Sequence, residues 1–64
     1  MNLTELCKLH NIKWAKIKAD VYTLNKGGKV IDVFVKTKKC YSYVSQEYGT
    51  FKDFESLLKK EYGI

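Results

Sequence analysis

Histidine, cysteine and paired carboxylates do most covalent and acid–base chemistry in proteins, and this chain holds them at no usable spacing. His10 is the single histidine, with no nucleophile or second ligand placed beside it in the sequence. Cys7 and Cys40 lack metal-binding spacing and read as small core residues carrying reduced thiols. Asp20 and Asp32 stand singly among lysines, and there is no phosphate-cradling glycine loop. The expectation is a non-enzymatic protein that needs no cofactor and no metal. What the chain has in quantity is twelve lysines, five tyrosines and three phenylalanines. Lysines neutralise phosphate and aromatic rings stack on bases, so the chemistry on offer is non-covalent binding. All twelve basic residues are Lys and none is Arg. Lys acts as a point charge rather than a bidentate fork, which favours electrostatic attraction over base-specific readout.

The elements that position these side chains follow from periodicity. Residues 15–24 alternate apolar and polar, the period of a half-buried strand, and residues 29–37 do the same. A third strand covers 40–44. Together the stretch from Ala15 to Val44 reads as a three-stranded antiparallel meander. A three-residue Lys26–Gly28 loop pairs Val21 with Val33 and keeps the apolar sets Ile17, Val21 and Ile31, Val33, Val35 on one face; a two-residue Gly27-Gly28 turn pairs Val21 with Phe34 instead. The second turn is placed at Lys38-Lys39, which sets Phe34 opposite Tyr43 and sends Cys40, Ser42 and Val44 to the core. The outer face then collects Lys16, Lys18, Tyr22, Phe34, Lys36, Tyr41 and Tyr43, with Lys38 and Lys39 beside it. Four aromatics among lysines exceed what a solvated face requires. These nine residues are the expected binding surface.

Helices flank the sheet. Asn2 and Glu5 form a capping-box-like start, Leu3, Leu6, Cys7 and Leu9 an apolar stripe, and His10-Asn11 an end at which Asn tolerates the left-handed conformation. Trp14 is expected between helix and sheet. Gln46 to Gly49 reads as a loop, Thr50 as the cap of a second helix, and Phe51, Phe54, Leu57, Leu58 and Tyr62 as its buried stripe, closed by Gly63. The fold class is therefore α+β, in the order α-β-β-β-α, with both helices on one face of the sheet.

The chain has 64 residues, a formal net charge of +5 and 45% hydrophobic residues. This is the size of one small globular domain spanning residues 1–64, with a thin core. With no long apolar run and no signal-peptide pattern, a cytoplasmic protein with no membrane partner is expected. Nine lysines meet only two acids between Lys8 and Lys39, whereas three lysines meet four acids from Cys40 onward. The positive field thus sits on the first two expected strands and the turns and draws polyanions. Frequent Lys, Asn, Tyr and Ile suggest A/T-rich coding, as in a phage or mobile element of a low-GC bacterium.

The order helix, three antiparallel strands, helix resembles the double-stranded-RNA-binding fold, and Leu3-Thr4-Glu5-Leu6-Cys7 is similar to that family's first helix. That family places a basic cluster at the start of its second helix; Phe51-Lys52-Asp53-Phe54-Glu55 carries two acids and one Lys there. The meander with a Thr50-capped helix also resembles the arm-binding domains of phage and transposon integrases, which lay a three-stranded sheet against DNA, although they lack a helix before it. Neither resemblance assigns a family. The expected function is nucleic-acid binding through the Lys/aromatic sheet face. The alternative is a phage-type accessory protein that inhibits a host or defence protein through an acidic or nucleic-acid-binding groove on that partner.

Overall fold

The computed structural model describes residues 2–64. Helix α1 (Leu3–Leu9) is followed by strands β1 (Lys13–Lys18), β2 (Val21–Lys26), β3 (Lys29–Phe34), β4 (Lys39–Ser42) and β5 (Glu47–Thr50), then helix α2 (Phe54–Tyr62). The strands form one antiparallel sheet in sequence order, β1-β2-β3-β4-β5. The α+β class and the two flanking helices hold. The three-stranded meander is corrected to five strands.

Two strands were concealed. The alternating run 15–24 is not one strand but β1 and β2, folded back at Ala19-Asp20. Neither of those residues takes a positive φ, so this is not one of the mirror-image turns that fit strand twist without further adjustment. Instead the register shifts between Lys16 and Lys18, a bulge that absorbs the mismatch. At the other end, Gln46–Gly49 is mostly strand: β5 hydrogen-bonds to β4, with Tyr48 opposite Tyr41. The connections Val35–Lys38 and Tyr43–Gln46 are four residues each. In both, the last residue is left-handed, Lys38 at φ 55° and Gln46 at φ 56°.

The β2–β3 register also differs from the expected one. Gly27 and Gly28, at φ 61° and 84°, make the two-residue turn for which positive φ at both central positions is required. Val21 pairs with Phe34, Tyr22 with Val33 and Leu24 with Ile31. Taking Val21 as the core residue was the error. Leu24 is the residue wholly buried, with Ile31 directly across from it, and once Leu24 is placed inside, the shorter turn is the one that keeps the apolar sets together. Ile17 and Val44 were likewise expected in the core but are 58% and 67% exposed. Ile17 lies at the bulge of an edge strand and Val44 in the Tyr43–Gln46 turn. Of the expected core set, Ile31, Val33, Cys40 and Ser42 are buried and Val35 packs against the core from its turn.

The core forms on one face only. Leu24, Ile31, Val33 and Cys40 of the sheet meet Leu3, Leu6 and Cys7 of α1 and Leu57 and Leu58 of α2, with Ile12 sealing the α1–β1 link. Asn2 caps α1 as expected, its side chain accepting from the Glu5 N–H at 2.9 Å, and Asn11 takes φ 57° just past its end. Helix α2 begins later than expected. Thr50 belongs to β5, and Asp53 is the cap, accepting from the Ser56 N–H at 2.8 Å. That bond holds the Asp53 carboxyl below its ordinary pKa. Phe51, Phe54 and Tyr62 pack at the margin of the core, and Gly63 closes the helix in the left-handed conformation. Both cysteines are free and buried.

Candidate nucleic-acid interface

Strand pairing decides which side chains share a surface, because residues directly opposite one another project from the same side. On the side away from the helices the register defines three rows. One runs Ala15, Thr23, Asp32, Tyr41, Tyr48 across all five strands. A second runs Lys18, Val21, Phe34, Lys39, Thr50. The third holds Lys13, Asn25 and Val30, with Tyr43 joined to Val30 by a backbone bond of 3.1 Å. No helix covers this face.

Three tyrosines cluster on it. The Tyr41 ring lies 5.0 Å from Tyr43, edge to face, and 4.7 Å from Tyr48. Tyr43 is 50% and Tyr48 72% exposed. Rings this open gain little from folding and are free to be stacked upon. Asp32 lies beside them. The Tyr43 hydroxyl donates to its Oδ2 at 2.6 Å and the Thr23 hydroxyl to its Oδ1 at 2.8 Å. Donation to that carboxylate raises the Tyr43 pKa above the usual phenol value. The second row carries Lys18 beside Val21 and Lys39 beside Phe34, and the exposed Lys36 lies in the adjoining turn.

Of the nine expected site residues, the structure brings Lys18, Phe34, Lys39, Tyr41 and Tyr43 onto this face and leaves Lys36 exposed in the turn at its end. Lys38, in the same turn, lines a recess beside the start of α2 instead. Two more stand on the helix side of the sheet. Tyr22 pairs with Val33 and packs at the margin of the core on the helix side. Lys16 stands opposite Tyr22, its Nζ 6.0 Å from that ring. The one-residue change in β2–β3 register turned Tyr22 over, and Lys16 goes with its partner. Trp14 lies on that same side, 5.9 Å from Tyr22, but at the sheet edge and 44% exposed rather than enclosed by a helix. Tyr48 was missed, since its segment reads as a loop. Its aromatic β-propensity and its place two residues before Thr50 were the available signals.

The other lysines of the sheet have structural partners. Lys26 donates to the His10 carbonyl at 2.8 Å. Lys29 pairs with Glu61 at 3.6 Å, the one ion pair among the described residues. Among the described residues no group of three or more His, Cys, Asp or Glu side chains is placed to hold a metal, and no helix is long and apolar enough to cross a membrane. A separate recess between the Val35–Lys38 turn and the start of α2 is floored by Phe51 and Phe54. Its charged residues are Lys38 and Lys52 against Asp53 and Glu55, so it presents no net sign. No protein-family model, curated protein or solved structure matches this chain.

Proposed function

We propose that this protein is a non-enzymatic binder of single-stranded nucleic acid, which it holds on the open face of the sheet. Bases stack on Tyr41, Tyr43 and Tyr48, and phosphates run toward Lys18, Lys36 and Lys39. The observation that carries this reading is the exposed tyrosine cluster on an uncovered, lysine-ended sheet face. Ring faces can be reached only by bases that are not already stacked in a duplex, which favours single strands. Lys without Arg supplies phosphate attraction with little preference for sequence.

The test is fluorescence anisotropy with labelled oligo-dT and oligo-U across a range of salt. Binding is expected to weaken with salt, and changing Lys36 and Lys39 to Gln should lower the log–log slope by about 0.7 for each phosphate that is no longer neutralised. Tyr48→Ala should cost about 1–3 kcal/mol of affinity for one stacked base, with the fold intact because that ring is outside the core. If no oligonucleotide binds, while a protein is retained from host lysate after nuclease treatment and released by Tyr48→Ala, the face serves a protein partner and the proposal fails.

A further inference from the structure

We infer that Asp32 makes the open face selective for guanine within the single strand that the preceding proposal places there, an inference that rests on that reading. Asp32 is the one acidic residue in the three rows of the face, and it lies at the middle of the central row. On a surface that attracts phosphate, a carboxylate opposes binding unless it meets hydrogen-bond donors on the ligand. Neighbouring residues shape the place where it could do so. On β1 and β2 the central row is low, built from Ala15 and Thr23; on β4 and β5 it rises into Tyr41 and Tyr48. Asp32 stands at the step between floor and wall.

The carboxylate is also held in place. Its two oxygens accept from Tyr43 and Thr23, one bond each. An ionised carboxylate offers about four acceptor sites, so roughly two stay open after these bonds. It is half-buried, and toward β1 its row continues only with the short side chains of Thr23 and Ala15. A base stacked on the tyrosine wall with its edge toward this step meets an acceptor pair. Guanine is the base whose Watson–Crick edge carries two adjacent donors, the N1 and N2 hydrogens. Adenine and cytosine each present one amino group beside an acceptor nitrogen, which a carboxylate repels. Thymine and uracil present one imide hydrogen between two carbonyls.

The experiment compares oligo-dT of fixed length with the same strand carrying one central guanine, inosine, adenine or cytosine, for the wild type and for Asp32→Asn. The wild type should bind the guanine strand about tenfold or more tightly than the thymine strand, within the range of one bidentate base contact. Inosine, which lacks the N2 donor, should lose most of that gain. Asp32→Asn keeps an oxygen for the Tyr43 hydroxyl but presents an amide donor, and should abolish the guanine preference. Equal binding of all strands by the wild type overturns the inference and leaves the stacking proposal standing. So does a uniform tightening of every strand by Asp32→Asn, the signature of a carboxylate that only repels phosphate. Absence of binding to any strand overturns both.

Discussion

Changing Leu24 to Ala tests the strand register on which every surface assignment depends. Leu24 is wholly buried and pairs with Ile31, which is buried as deeply. Truncating a buried leucine to alanine costs about 2–5 kcal/mol. A chain of 64 residues has roughly 3–10 kcal/mol of total stability, at typical values per residue. Leu24→Ala therefore removes a large share of it and could leave the chain unfolded, so Ile31→Val, at about 0.5–1.5 kcal/mol, supplies a milder second test of the same pair. Val21 lies on the open face opposite Phe34 and is only half-buried, so Val21→Ala should cost about 1 kcal/mol or less. Urea unfolding followed by circular dichroism measures all three. With a slope near 1 kcal/mol per molar urea, about the lower end for small proteins, Ile31→Val shifts the midpoint by roughly 0.5–1.5 M. The three-residue loop predicts the reverse order, with Val21 paired to Val33 inside and Leu24 outside. Val21→Ala more damaging than Leu24→Ala, or NMR cross-strand contacts joining Val21 to Val33 directly, would refute the fold described above.

Two further outcomes follow from groups with shifted titration. Asp53→Ala should lower the urea midpoint and Thr50→Ala should leave it nearly unchanged, because Asp53 makes the capping bond and Thr50 lies in β5; since the Asp53 pKa is lowered in the folded state, its contribution is present above the unfolded value of about 3.9 and fades as pH falls through the folded one. On the alkaline side, burial pushes the Cys7 thiol up to about 11 and the Tyr62 phenol up to about 12; both folded values are raised, so stability is complete below the unfolded values and falls as pH rises through about 9 to 12, a loss that should shrink in Cys7→Ala when midpoints are compared across pH.

The helices were legible because their signals are local. Asn2 with Glu5, the αL residue Asn11 and the closing Gly63 each act within one turn of chain. The start of α2 was ambiguous because Thr50 and Asp53 are both good caps, and only the pairing of β5 with β4 removes Thr50 from the helix. Strands were harder. Three of the four hairpin connections lack glycine: a bulge serves one, and Lys38 and Gln46 occupy the left-handed position that glycine would have announced. The outer-face aromatics nevertheless came out correctly for a definite reason. The expected β3–β4 pairing placed Phe34 opposite Tyr43; the observed one places it opposite Lys39, an even shift. An even shift leaves faces unchanged, so Phe34, Tyr41 and Tyr43 stayed together. The β2–β3 pairing was off by one, and a one-residue slip turns every side chain over, which is why Tyr22 and Val21 exchanged sides.

The open face has a property the core does not demand. Leu24, Ile31, Val33 and Cys40, with the two helices, account for the buried apolar surface, and nothing in that packing requires a hydroxyl–carboxylate bond on the far side of the sheet. Yet Tyr43, half exposed, is tied to Asp32 at 2.6 Å, and Asp32 is fixed in turn by Thr23. Tyr41 then rests against both Tyr43 and Tyr48. Each contact removes rotamer freedom from a solvent-exposed ring before any ligand arrives. Ordering an exposed side chain at an interface costs about 0.5–1.5 kcal/mol when it happens on binding. If the face binds as proposed, part of that cost is met during folding. The lysines complete the contrast. Lys13, Lys16 and Lys18 line the fully exposed edge strand β1, where repeated positive charge opposes edge-to-edge pairing of two copies. The same charge adds to the field that, on the proposed reading, draws a polyanion to the sheet. On the proposed reading, the lysine-bearing edge opposes pairing of two copies and the hydrogen-bonded aromatic platform is preformed for a flat ligand.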